Sequence, residues 1–293
     1  MKIDEIRYVR ILEQARTLVR EEKFLHAFQQ YYRLLDYDSR DISIYLELSS
    51  VLAECGMISA AIQLLLRANK SVPGNDDIIF HIGNYYLAIE DYDAALRYYK
   101  KLSDKKIPHI HFNMGIAYFY KQNFKYAEEQ FRLTLRLDPK FPKINESLGE
   151  LLIKRQAYTE AIQYLRQGAE TDPYSAVNHY LLGTAYSRLD QWKKAYQEFV
   201  TAIDLDPNEP SGWQMCGEAL IQMKQYNEAE AYLRKTLELA PQSVETLVDL
   251  GCVLSIKGDT ERSNMYLEKA FHVDSVHARA REAQWKARQL LKK

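Results

Sequence analysis

Residues 176–209 read AVNHYLLGTAYSRLDQWKKAYQEFVTAIDLDPNE, and this stretch decides the fold. Leu182, Gly183 and Tyr186 are followed by Ala195, Phe199 and Ala202, and Pro207 closes the run. Moved along the chain in steps of 34 residues, Gly183 falls on Gly115, Gly149, Gly217 and Gly251. Pro207 falls on Pro139, Pro173 and Pro241, and Ala195 on Ala127, Ala161 and Ala229. Three tracks with one period mean one supersecondary unit stacked on copies of itself, each burying a face that its neighbour covers.

The pattern LGxxY, AxxxF and a closing proline within 34 residues resembles the tetratricopeptide repeat, a helix–turn–helix. The resemblance implies an all-α fold, a right-handed α-α superhelix built as a solenoid of antiparallel helix pairs. The frame gives one solenoid over residues 1–277, with repeats at 8–41, 42–75, 76–107, 108–141, 142–175, 176–209, 210–243 and 244–277. Residues 278–293 are expected to form a C-terminal capping helix that solvates the last apolar face.

Repeat position 8 holds Ala15, Ser49 and six glycines, Gly83 to Gly251, and position 20 holds seven alanines and Ser263. A glycine inside a helix costs about 1 kcal/mol relative to alanine. A close approach of the two helix backbones is the expected compensation. Position 17 carries Phe24, Tyr92, Phe124, Tyr158, Trp192 and Tyr226, expected to wedge between repeats, and position 24, from Tyr31 to Leu267, is expected core. All eight prolines sit at repeat boundaries: five end second helices, and Pro108, Pro142 and Pro210 are expected to open first helices, where a missing N–H is harmless. The third repeat is two residues short, at LSDKKIPHIHF (102–112), and predicts a local change of superhelical rise.

The 39 Lys and Arg balance 40 Asp and Glu, so no global field favours nucleic acid, and no uncharged run is long enough to span a bilayer. Three cysteines without a CxxC pair fit a reducing, cytoplasmic setting, with Cys216 at a core position. The chain has no P-loop, no GxSxG and no HExxH, and its glycines serve packing, so no enzyme activity, cofactor or metal is expected. Glu146 and Glu150, one helical turn apart, read as a solvated face.

In the family that the chain resembles, first helices line a concave groove that holds extended peptides through positions 2, 5, 6, 9, 12 and 13. Carried over residue by residue, the groove comprises Phe80, His81, Asn84, His109, Phe112, Asn113, Phe119, Tyr120, Lys143, Tyr180 and Arg188. Phe80, Phe112, Phe119, Tyr120 and Tyr180 are expected to be unneeded for packing a repeat and to serve as anchors. Asn84, Asn113 and Lys143 match a carboxylate clamp known in the family. Phe80 and Ser147 replace its first Lys and final Arg, so two cationic contacts are missing. Asp77, His81 and His109 could face one another as metal ligands, yet isolated groove histidines are commoner. The function implied is an adaptor, scaffold or chaperone-like module for a protein or peptide, without nucleic acid or membrane. The alternatives are a self-assembling, homo-oligomeric scaffold and a regulatory subunit of a separate enzyme.

Overall fold

The computed structural model describes residues 5–102, 106–274 and 276, so the expected cap at 278–293 lies outside the described residues. Sixteen α-helices occupy the described residues: α1 Glu5–Arg20, α2 Phe24–Tyr37, α3 Ile42–Glu54, α4 Ile58–Ser71, α5 Asp76–Ala88, α6 Tyr92–Tyr99, α7 Pro108–Tyr120, α8 Phe124–Leu137, α9 Ile144–Lys154, α10 Tyr158–Thr171, α11 Ala176–Ser187, α12 Trp192–Leu205, α13 Pro210–Gln222, α14 Tyr226–Leu239, α15 Val244–Ile256 and α16 Thr260–Val273. The described residues are all α-helical in regular structure, and the chain divides into two compact units, residues 1–141 and 142–293. Within each unit a first helix packs on its own second helix, and that second helix packs on the next first helix.

Position 24 is the core side chain of every repeat, and all eight residues from Tyr31 to Leu267 are at most 3% exposed. It also explains the glycine track, differently from the expected backbone contact. A Cβ at Gly83 would stand 2.6 Å from a Tyr99 ring carbon, at Gly115 2.4 Å from Phe131, and at Gly183 2.6 Å from Phe199. At Gly149, Gly217 and Gly251 the obstruction is the leucine of position 24: Leu165, Leu233 or Leu267. The glycine therefore makes room first for a large side chain sixteen residues later; a backbone carbonyl of the second helix comes close only at Gly217 and Gly251, at 3.7 and 3.3 Å. In the last repeat Ser263 is buried without penalty, because its hydroxyl donates to the Gly251 carbonyl at 2.7 Å.

Helix boundaries follow local chemistry. Asp41, Asn75, Ser175, Glu209 and Ser243, each the last residue of its repeat, accept backbone N–H bonds at the start of the next first helix. Ile107 and Phe141 hold the same place in repeats three and four and cannot cap. Pro108 begins α7 with no N–H to satisfy, whereas Pro142 does not open α9 as expected. Phe141 is buried, and the chain leaves it through Lys143 at φ 60°, so that α9 starts only at Ile144. Every turn inside a repeat places one residue in the left-handed region at position 15: Glu22, Gly56, Glu90, Gln122, Gln156, Asp190, Lys224 and Gly258.

The two-residue deficit of the third repeat appears as a shortened helix. α6 has 8 residues where the other second helices have 14. Leu102, which stands where a second helix would still be running, nevertheless reaches the core at 3% exposure.

Candidate functional site

In the first unit, α5 and α7 carry eight of the expected groove residues. The Asn84 Oδ1 accepts from the Tyr99 hydroxyl at 2.8 Å and from the Asn113 Nδ2 at 2.8 Å, which ties the two first helices together. Phe80 lies 6.1 Å from Tyr99 and 5.9 Å from His81, ring centre to ring centre. Phe112 sits 5.8 Å from Phe131 and 4.9 Å from Phe141, with His109 edge-on to Phe141 at 4.8 Å. Phe119 packs on Phe124 at 5.8 Å. Tyr120 stacks nearly parallel on Tyr92 at 5.5 Å, across the repeat junction, and remains 59% exposed.

In the second unit Tyr180 lies 5.8 Å from Phe199, while Lys143 and Arg188 are exposed. Four of the five expected anchors, Phe80, Phe112, Phe119 and Tyr180, therefore help to pack their own repeats, contrary to the sequence reading. Only Tyr120 stands open. Between the first helices of repeats one and two, the Arg16 Nε donates to Glu47 at 3.1 Å, and the Tyr31 hydroxyl donates to the same carboxylate at 3.2 Å.

Burial shifts the titration of several of these groups. His81 is pushed below the usual imidazole range by desolvation, with the nearby Asp77 charge opposing the shift. Desolvation raises the Tyr180 phenol and the Glu150 carboxyl. Glu150 is half-buried, and Glu146 accepts from the Ser175 hydroxyl at 2.9 Å, so this acidic pair is not simply a solvated face. Cys216 is fully buried and its thiol is pushed up to about 12, which leaves it no thiolate for nucleophilic chemistry. No group of three or more His, Cys, Asp or Glu side chains is placed to hold a metal among the described residues. No helix among them is long and apolar enough to cross a membrane.

Two cavities occupy equivalent places in repeats three and six. One, of about 360 Å³, lies between the start of α5 and the start of α7 and is lined by Phe80, Leu102, Ile107, Ile110 and His109, with Asp76 and Asp77. The other, of about 270 Å³, lies between α11 and the start of α13, with Tyr180, Val177 and Ala176 on one wall and Ala202 and Gly212 opposite. Asp206, Glu209 and Ser211 form its polar edge. Phe80 and Tyr180 both occupy repeat position 5, and Ile107 and Glu209 are both last residues of their repeats. Composition and motif carry no signal for these spaces. Only alignment of the repeats, position by position, sets the residues around them side by side.

Family models match the chain in three places. The model described as anaphase-promoting complex, cyclosome, subunit 3 covers residues 154–236, and two tetratricopeptide-repeat models cover 112–176 and 76–104. Among solved structures, a chain of the APC/C hetero-tetramer Cut9–Hcn1 is similar at TM-score 0.65 and 18% identity, over 97% of this chain and 57% of that one. MamA, residue 41 to the end, from Desulfovibrio magneticus RS-1 is similar at TM-score 0.55 and 27% identity, over 57% of this chain and 96% of that one. YrrB, described as a TPR protein with an unusual peptide-binding site, is similar at TM-score 0.55 and 19% identity, over 66% of this chain and 97% of that one. Comparison with curated proteins gives no match. The chain is a tetratricopeptide-repeat protein.

Proposed function

We propose that this protein is a non-enzymatic adaptor of the cytoplasm that holds a segment of a partner protein on the surface of its first helices. The observation that carries the reading is Tyr120: a large aromatic ring held flat on Tyr92 and still 59% exposed, at a position where the family binds peptides. An aromatic side chain with few rotatable bonds offers contact area at small entropic cost, which is why such residues dominate interfaces. In the second unit Lys143 and Arg188, exposed just before α9 and just after α11, add charge for a carboxylate or backbone carbonyl. The fold shared with YrrB and with a chain of a multiprotein complex supports the same class of role.

The test is affinity capture from an extract of the source cells with wild type and with the triple variant Tyr120→Ala, Lys143→Glu, Arg188→Glu. None of the three side chains is buried, so the circular dichroism melt of the variant is expected to match wild type while partner recovery falls at least tenfold. Undiminished recovery by the folded variant moves the binding face elsewhere. One observation favours a second reading, self-assembly: Ile6, Val9 and Leu25 are 74%, 53% and 76% exposed on α1 and α2. Light scattering across a dilution series separates a concentration-dependent oligomer from a monomeric adaptor.

A further inference from the structure

The fourth repeat shows what the cavities of repeats three and six are shaped to receive. Its last residue, Phe141, turns inward, lies 4.9 Å from the position-5 ring of Phe112 and 4.8 Å from His109 at position 2, and is only 7% exposed. The same place in the third repeat is held by Ile107, which remains 39% exposed on the wall of its cavity. In the sixth it is held by Glu209, whose carboxylate turns to cap α13 by accepting from the Ser211 amide at 3.2 Å. Repeat five closes the same place in another way, with the Glu146–Ser175 hydrogen bond. In repeats three and six the chain supplies the aromatic wall, Phe80 or Tyr180, and leaves the opposing ring out.

The edges of both spaces carry the same charge. Asp77 borders one, beside His109, and Asp206 and Glu209 the other. An anionic ligand would meet like charge there, whereas a Lys or Arg beside an inserted ring would meet opposite charge.

We propose that each cavity is a receptor for an aromatic side chain, phenylalanine by analogy with Phe141, presented by a basic segment of a partner protein. The inference rests on the adaptor reading above and names the chemistry of the segment that the adaptor holds. The ring inserts against Phe80 or Tyr180 as Phe141 does against Phe112, and the flanking cations meet the acidic edge. A ring burying on the order of 150–250 Å² in such a site supplies most of the binding energy, with the charges setting specificity and encounter rate.

The experiment is a calorimetric titration of the full chain with the synthetic peptide Gly-Ser-Lys-Arg-Phe-Lys-Ser-Gly, with its Phe→Ala form, and with a form in which Glu replaces the basic residues. Two sites per chain are expected, and each altered peptide is expected to bind at least tenfold more weakly. Ile107→Phe and Glu209→Phe each place a ring where Phe141 sits in the fourth repeat, so each is expected to remove one of the two sites. Equal affinity for the Phe→Ala peptide, or two sites retained by the folded double variant, overturns the proposal. Should either plug variant fail to fold, Asp77→Lys and Asp206→Lys, at exposed edges, must each weaken the peptide at least fivefold, and unchanged affinity overturns it. An unbound peptide together with capture that still depends on Tyr120, Lys143 and Arg188 overturns the cavity inference alone. An unbound peptide with capture indifferent to those residues overturns the adaptor surface as well.

Discussion

In the third repeat the second helix stops after 8 residues, at Tyr99, whereas in the sixth it runs for 14, yet the two repeats share both a core contact and a cavity. Gly83 lies under Tyr99 as Gly183 lies under Phe199, with the same 2.6 Å between an added Cβ and the nearest ring carbon. Beyond that contact the routes diverge. The third repeat opens its cavity by losing the end of a helix, and the sixth by placing Ala202 and Gly212 where larger residues would meet. The glycine-to-ring contact is therefore the part of the repeat that the chain holds fixed, and the junction at the far end is where repeats differ. Substitutions at the first should act on stability and be matched between the two repeats; substitutions at the second should act on binding and be local.

The largest effect is expected from Gly183→Leu and Gly83→Leu. Each forces several carbons into space held by a ring that is buried at 0% exposure, and overpacking of this kind costs about 3 kcal/mol. Urea melts followed by helical circular dichroism should show both losses. Equal losses keep the contact as the shared element. A much smaller loss at Gly83 would show that the shortened α6 lets the Tyr99 ring give way.

A smaller difference is built into the rings themselves. Tyr99 donates its hydroxyl to Asn84 at 2.8 Å, while the sixth repeat has Phe199 and, at the position of Asn84, Thr184, whose hydroxyl donates to the Tyr180 carbonyl at 2.9 Å. Tyr99→Phe should cost about 1–2 kcal/mol, because the phenol hydrogen-bonds Asn113 as well as Asn84 and the two amides are left with their bond to each other. A double-mutant cycle with Asn113→Ala measures the coupling; no coupling would mean that the amide pair holds α5 and α7 together without the phenol.

Smaller still is a dependence on pH that His81 brings to the third repeat. His81 and Leu181 share repeat position 6, and only the first can take a proton. Because burial lowers the folded-state pKa of His81, the unfolded chain binds the proton more readily. His81 therefore contributes stability that is complete above the ordinary imidazole pKa of about 6.5 and is lost as pH falls through the depressed folded value. His81→Leu should flatten the acid limb of a stability–pH curve measured between pH 7 and 5. An unchanged slope would assign that limb to carboxylates instead.

The period, the core stripe and most helix boundaries were legible because they depend on residue type at fixed spacing; the start of α9 and the early end of α6 were not. What Gly83 and Gly183 face was not legible, since periodicity gives position along the chain but not which neighbour fills the vacated volume. The anchors failed for a related reason. Position 5 was assigned to the expected groove from its place in the repeat, and only the structure shows that Phe112 lies against Phe131 and Phe141. Phe141 itself was passed over because it stands at a capping position, where an apolar residue looks like a defect in a local pattern and proves to be a plug.

The smallest effect concerns the turns, which differ between repeats only in residue type. Glu90 and Asp190 hold position 15 with φ of 62° and 56°, the conformation that Gly258 adopts in the eighth repeat at 83°. A non-glycine residue in this region is strained by roughly 1–2 kcal/mol, because its Cβ crowds the following carbonyl. Glycine removes that strain but loses about 0.5–1 kcal/mol of backbone entropy on folding, so Glu90→Gly and Asp190→Gly should each stabilise by roughly 0.5 kcal/mol. Gly258→Ala should destabilise by a similar or larger amount, since it adds the strain while gaining only the entropy. If the third-repeat substitution stabilises and the sixth does not, the turn of Asp190 is held by side-chain contacts that relieve its strain, and the two repeats differ at the turn as well as at the junction.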